Sequence, residues 1–158
     1  MDLFVDSGII IHLFDINDDS QDKYSCLIIK NKFEDLTRKY PPLTSNLIIA
    51  EALNLISNKI SGKSFRYDFD YLFEFYKNEI KGRFSIVDQN INKYIDQSQK
   101  IIKQYSNLHY SFIDAMSLSL IEDLGDLKVF TTDEKWKQFN ILKGHKFVPI
   151  DVIDMFSI

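Results

Sequence analysis

The chain reads as an α/β protein with a parallel sheet covered on both faces by helices. Three observations predict this. Short apolar runs bounded by turn residues alternate with longer segments of helical spacing along the 158 residues. One of those segments, Phe112 to Leu124, is apolar on most sides and so belongs in a central, buried place. The balance of 45 % hydrophobic to 27 % charged residues is that of a globular domain. At this length roughly two-thirds of the unfolded surface can be buried, enough for one core. A single domain over residues 1–158 is therefore expected.

The elements follow in order. Leu3-Phe4-Val5 is an apolar run ending at Asp6, with Gly8 after it as a turn residue, which predicts a buried strand. Helical spacing runs from about Asp22 to Tyr40 and stops at Pro41-Pro42, where the missing N–H and the ring clash end a helix. Leu43-Thr44-Ser45 is a short extended piece, and helical spacing resumes from Leu47 to Ile60 with Gly62 as its stop. The next segment fits two periods. Phe65, Tyr67, Phe69, Tyr71, Phe73 and Phe75 alternate as in a strand, while Phe65, Phe69, Leu72, Phe73 and Tyr76 share a helical face. A helix over Ser64–Ile80 is expected, because the run is long for a strand and Gly82 ends it. Phe84–Val87 reads as a strand, Asn90 to Tyr105 as a helix, and Phe112–Leu124 as the buried helix. Val129–Thr131 is a strand, Glu134–Phe139 a short helix and Lys146–Ile150 a last strand.

Composition excludes several classes. Thirteen Phe and eight Tyr can outweigh the ordering entropy, so a disordered chain is excluded. Cys26 is the sole cysteine, which rules out an intrachain disulfide; in Cys26-Leu27-Ile28-Ile29 it reads as a small buried hydrophobe. The start, Met1 to Asp6, has two acids where a signal peptide needs cations. No apolar run approaches the ~18 residues of a membrane span. A cytoplasmic protein with no membrane contact is expected. The 23 acids against 19 bases, a net charge of −4, disfavour a protein that grips nucleic acid by broad neutralisation of phosphates. His12, His109 and His145 lack metal-ligand spacing and a Cys partner, so no zinc site is expected.

Four acids stand in awkward places. In a parallel sheet, Asp6 after the first strand and Asp133 after the Val129–Thr131 strand face the same edge, where ligands of such folds bind. Asp114 lies in the first turn of the apolar helix Phe112–Leu124, and Glu51 interrupts the apolar run Leu47 to Leu53. Each has a plain structural explanation. Asp6 fits a turn, Ser111-x-x-Asp114 fits a capping box, Asp133 fits an N-cap, and Glu51 fits a solvent-facing place beside Asn54. Together they are harder to dismiss, since no Lys or Arg lies within three residues of Asp6, Glu51 or Asp114. Carboxylates crowded at one edge repel unless a cation joins them, and an all-oxygen cluster selects Mg²⁺ or Mn²⁺.

The same residues carry a family likeness. Val5-Asp6-Ser7-Gly8 after an N-terminal strand resembles the opening motif of PIN-domain ribonucleases, including the VapC-type toxins of toxin–antitoxin systems. Ile49-Ala50-Glu51-Ala52-Leu53-Asn54 resembles the family's helical glutamate motif, Ser111-Phe112-Ile113-Asp114-Ala115 its third motif, and Thr131-Thr132-Asp133 its fourth. The resemblance implies a Rossmann-like three-layer α/β/α sandwich with a parallel sheet of four or five strands. It also implies Mg²⁺- or Mn²⁺-dependent cleavage of RNA by metal-activated water. On that reading Asp6, Glu51, Asp114 and Asp133 bind the metal. Thr131 orients water or a carboxylate, and Ser7 supports the ligands from behind. VapC-type proteins commonly form homodimers and bind a small antitoxin, so both are implied partners. One departure stands out: Ser-Gly follows Asp6 where many toxin-type members have Thr-Asn.

Two further features bear on partners. In a helix over Ser64–Ile80, Phe65, Phe69, Phe73 and Tyr76 form one stripe, and Tyr67, Tyr71 and Phe75 lie well round from it. One stripe suffices for the core, so the other is expected to meet a partner or second copy; core packing and base stacking are the alternatives. Arg38, Arg66 and Arg83 are the only arginines, so phosphate contacts rest mostly on Lys and the metal. A non-catalytic PIN-like binding module and a structure-specific DNA nuclease are the rival functions. A phosphoacceptor receiver domain is disfavoured, because Asp6 has no adjacent acidic partner. With four acids as ligands, the negative balance partly reflects the site itself, and one divalent ion would halve it.

Overall fold

Leu3, Phe4 and Val5 have no exposed surface, which an apolar run achieves only when both faces and both edges of its strand are covered. The computed structural model describes residues 1–15, 23–62, 69–143 and 150–153. In it the run forms β1 (Asp2–Val5), the middle of a five-stranded sheet with β2 (Pro42–Ser45), β3 (Ser85–Val87), β4 (Leu127–Phe130) and β5 (Ile150–Ile153). The order is β3-β2-β1-β4-β5 and every pairing is parallel. Leu3 pairs with Pro42 on one side and Lys128 on the other, and Val5 pairs with Phe130.

Parallel neighbours require crossovers, and these are helical. Helices α1 (Ser7–Asp15) and α2 (Lys23–Thr37) join β1 to β2; α3 (Asn46–Gly62) and α4 (Phe69–Phe75) lead toward β3. Helices α5 (Ile91–Gln104) and α6 (Phe112–Leu124) lead from β3 to β4, and α7 (Lys135–Lys143) from β4 to β5. Right-handed crossovers stepping one way from β1 to β3 and the other way from β3 to β5 put α1–α4 on one face and α5–α7 on the opposite one. This is the three-layer sandwich that the alternation of elements predicts. The chain reverses its direction of travel between β1 and β4, so a crevice opens at their carboxyl ends.

Aromatic contacts fill both layers. Phe14 of α1 meets Tyr71 and Phe75 of α4 edge-on at 5.4 and 5.2 Å, and Phe33 of α2 stacks on Phe84 at 5.7 Å. On the other face Tyr105 approaches Phe139 of α7 at 5.4 Å. Helix α6 is buried continuously from Ala115 to Ile121, as its all-round apolar sequence predicts. Cys26 is buried. Among the described residues no helix is long and apolar enough to cross a membrane.

The structure departs from the expected elements in three places. Gly8 is not a turn residue but lies in the first turn of α1. The helix expected over Ser64–Ile80 is described from Phe69; Phe65 and Tyr67 lie outside the described residues. Its last turn, Tyr76–Ile80, is a π-helix, with Lys81 N–H donating to the Tyr76 carbonyl at 2.8 Å. Five residues of α-helix would turn Ile80 away from Phe75, whereas the wider turn lets both bury. Arg83 then ties this end to α2 through Glu34 at 3.2 Å. The outcome for the aromatic stripes is that Leu72 and Phe75 face the core, while Phe69 and Phe73 are 46 % and 58 % exposed. Of the expected last strand Lys146–Ile150, Lys146 to Pro149 lie outside the described residues, and Ile150 opens β5.

Burial sets a contrast for stability. Phe4→Ala should destabilise the chain by about 3–5 kcal/mol through lost transfer energy and a cavity beneath Trp136. Phe73→Ala should stay within about 0.5 kcal/mol. Urea unfolding of both variants checks this, and equal losses would contradict the core assignment.

Candidate active site

Because Val5 and Phe130 are register partners, the next residues of the two strands, Asp6 and Thr131, emerge side by side. The Asp6 N–H extends the ladder to the Phe130 carbonyl at 3.1 Å. Its carboxylate is held at both oxygens, by the Ser7 N–H on Oδ1 at 2.7 Å and the Thr131 hydroxyl on Oδ2 at 2.7 Å. Asp6 is 6 % exposed, so this is a carboxylate taken almost wholly out of water.

Glu51 arrives on α3. The helix starts directly after β2, with the Ser45 hydroxyl accepting from the Ile48 N–H at 3.2 Å, which sets Glu51 on its second turn above the sheet edge. Rather than pointing freely to solvent, Glu51 is half-buried and accepts the Ser7 hydroxyl on Oε1 at 2.9 Å. Ser7 therefore donates to both acids, through its N–H to Asp6 and its hydroxyl to Glu51.

Asp114 arrives on α6. Ser111 is the extended N-cap, and the capping box is complete: Asp114 N–H donates to Ser111 Oγ and Ser111 N–H to Asp114 Oδ2, each at 3.0 Å. The remaining oxygen, Oδ1, accepts the Trp136 indole N–H at 3.2 Å. Capping and a place in the site coexist in one residue.

Asp133 is set apart. It caps α7, with Oδ1 accepting the Lys135 N–H at 3.0 Å and Oδ2 lying 3.9 Å from Lys135 Nζ. It is linked to Asp6 through Thr131, whose hydroxyl donates to Asp6 and accepts the Asp133 N–H at 3.0 Å. The structure thus brings Asp6, Glu51 and Asp114 under one another's charge, with Asp133 beside them.

The electrostatics follow from this crowding. Burial pushes the Asp6 pKa up to about 7, helped by the charges of Asp114 and Glu51 and opposed by the hydrogen bonds from Thr131 and Ser7. Glu51 is raised as well, chiefly by burial and further by Asp114, against the Ser7 hydrogen bond. The donor set is all oxygen, which suits a hard divalent cation, and a cation is what would relieve a buried carboxylate so placed. Among the described residues no three or more Asp, Glu, His or Cys side chains stand together as a group that could hold a metal ion as they are placed.

Gly8 has a local reason. A Cβ on it would stand 2.7 Å from the Thr132 hydroxyl, closer than real contacts allow. The missing side chain lets the loop after β4, which carries Thr131 and Asp133, press against the first turn of α1. Two residues near the acids went unmarked in the sequence. Trp136, buried below the site, was visible only as a lone tryptophan that needs a partner for its N–H. Tyr110 donates its hydroxyl to the Lys135 carbonyl at 2.5 Å, and its pKa is raised, first by burial and then by neighbours that include Asp133 and Asp114. Its isolated position in the sequence gave no signal.

The model of the PIN domain family matches residues 3–142. The chain belongs to the PIN domain family. Among solved structures, this PIN domain resembles Mycobacterium tuberculosis VapC20, described as a toxin that cleaves the sarcin–ricin loop, with a TM-score of 0.66 and 16 % identity over 94 % of this chain and 98 % of that one. It resembles VapBC2 from Rickettsia felis bound to a DNA fragment from their promoter, with a TM-score of 0.62 and 14 % identity over 98 % and 100 % of the two chains. FitAcB from Neisseria gonorrhoeae follows at 0.61 and 12 %, over 99 % of each chain. No curated protein matches the sequence. At these identities the likeness is one of fold, and it agrees with the sheet and helices described above.

Two outcomes test the site's physics. An acid whose pKa is raised on folding stabilises the fold fully below its unfolded value, and that contribution is lost as pH rises through the folded one. In EDTA, the Asp6 contribution should therefore disappear between about pH 4 and pH 7, by up to roughly 4 kcal/mol. Urea unfolding across that interval should show Asp6→Asn with a flatter profile than the natural chain; parallel profiles would refute the assignment. Separately, Gly8→Ala should cost about 1–3 kcal/mol. Adding Thr132→Ala should recover much of it, since the next atom, Thr132 Cβ, is 3.9 Å away. Thermal unfolding of the single and double variants decides this.

Proposed function

We propose that this PIN domain, taken as one unit over residues 1–158, is a divalent-metal-dependent endoribonuclease and the toxin of a toxin–antitoxin pair. The observation that carries the reading is the Asp6 carboxylate at the β1–β4 crevice, its pKa raised first by burial and then by the charges of Asp114 and Glu51. A carboxylate kept there without a cationic partner is costly for a fold and useful for holding a cation. The ligands of Mg²⁺ or Mn²⁺ would be Asp6, Glu51, Asp114 and Asp133. When bound, the ion supplies positive charge for the phosphoryl oxygens and lowers the pKa of a water ligand.

The protein groups do the positioning. Ser7 and Thr131 fix the Asp6 oxygens, and Ser7 also anchors Glu51. Phosphoryl transfer asks little covalent chemistry of a protein, so orientation and charge are what these residues contribute. Negative overall charge is compatible with such an enzyme, because one phosphate is met through the cation rather than many through Lys.

The toxin role is supported by the VapC20, VapBC2 and FitAcB neighbours, and it brings a small antitoxin as partner. Phe69 and Phe73, exposed on α4, support a protein-facing surface there, and we place a homodimer in the cytoplasm as the working assembly.

Incubation of total and transfer RNA with the protein should give Mg²⁺- or Mn²⁺-stimulated cleavage that EDTA abolishes. Asp6→Asn and Asp114→Asn should each lower it by roughly a hundredfold or more. Undiminished cleavage in either variant would overturn the site assignment, and cleavage of DNA but not RNA would overturn the substrate.

A further inference from the structure

Trp136 is the chain's single tryptophan and is 1 % exposed in the first turn of α7. Its ring packs against Phe4 of β1, centroids 6.3 Å apart, which fixes the indole beneath the carboxyl edge of the sheet. From there its N–H reaches Asp114 Oδ1 at 3.2 Å, while the other oxygen of that carboxylate is taken by the Ser111 N–H at 3.0 Å. Asp114 is thus oriented from two sides, by the start of its own helix and by α7.

A buried indole N–H needs an acceptor, and the plain reading is that Asp114 merely provides one. Two observations go further. The acceptor is one of the carboxylates whose charges bear on Asp6, not one of the backbone carbonyls that usually serve. And the Trp136 backbone N–H donates to the Asp133 carbonyl at 3.1 Å, so Trp136 closes a hydrogen-bonded path through Thr131 and Asp133 of the fourth motif. The path runs from Asp6 to Thr131, from Thr131 to Asp133, and from Asp133 through Trp136 to Asp114. Tyr110 secures the same turn through the Lys135 carbonyl.

We propose that Trp136 is a positioning residue of the cation site: its indole N–H holds the Asp114 carboxylate toward Asp6 and Glu51 and thereby sets the affinity for a divalent ion. This rests on the metal-dependent reading above. A carboxylate oxygen has more than one lone pair, so Oδ1 can accept the indole N–H and still face a cation. Partners that orient metal ligands from behind typically tune affinity by 10–100-fold.

The test uses the full chain, Mn²⁺ as probe and free Mn²⁺ measured by electron paramagnetic resonance, with thermal unfolding in EDTA as the check on folding. Trp136→Phe keeps most of the ring and removes the N–H; Mn²⁺ binding should weaken about tenfold. Wild-type affinity in that folded variant would overturn the proposal and leave the metal reading standing. No Mn²⁺ binding by the natural chain would overturn both. The natural chain also gives a reading without any variant, because a ¹⁵N-labelled sample has one indole N–H resonance. That resonance should shift saturably on addition of Mg²⁺ and should not do so in Asp114→Asn. An indole signal that ignores Mg²⁺ while Mn²⁺ binds would overturn the positioning role.

Discussion

One carboxylate withdrawn from water organises the carboxyl edge of this protein. Asp6 follows Leu3-Phe4-Val5, which have no exposed surface, so its place is dictated by the sheet and not by its own preference for solvent. A charge in that position is costly unless it is hydrogen-bonded, paired or metal-bound. The neighbouring residues address the first need: Ser7 and Thr131 occupy both oxygens. They do not supply a compensating charge, and Glu51 and Asp114 make the imbalance worse. The stability of the edge and the proposed chemistry are therefore two consequences of the same placement.

The surrounding architecture makes that placement rigid. Thr131 stands beside Asp6 because β4 runs parallel to β1 in matched register, and Ser7 bridges to Glu51 because α1 and α3 begin at the same edge. The opposite layer contributes Asp114 at the capped start of α6, steadied by Trp136 from α7. Residues from four helices and from just past the ends of two strands meet at the crevice where the sheet reverses its direction of travel. The aromatic packing of Phe14, Tyr71 and Phe75 lies away from it and serves the fold.

Several of these features were legible in the sequence. Unbroken apolar runs at Leu3–Val5 and an all-round apolar Phe112–Leu124 point to buried elements, because only full burial accommodates such patterns. Asp6, Glu51 and Asp114 stood out by their lack of nearby cations, and the structure does bring them under one another's charge. Gly8 misled, since a glycine wanted for a close approach looks like one wanted for a turn until Thr132 is seen against it. The end of α4 misled too: a π-turn is chosen by which side chains must bury together, and Phe75 with Ile80 cannot be recognised as such a pair from spacing.

The sequence by itself determined the α/β class, the alternation of strands and helices apart from α1, and which acids lacked local partners, because these depend on periodicity and on neighbours a few residues away. Only the tertiary structure decided how the acids share their surroundings. It linked Asp133 to Asp6 only through Thr131, joined Asp114 to Trp136 across 22 residues, and gave Asp6 the hydroxyl of Thr131 across 125. The last two bonds join residues far apart in the chain; the β1–β4 register brings Thr131 to Asp6, and the packing of α7 against the sheet brings Trp136 to Asp114, neither of which a local pattern encodes.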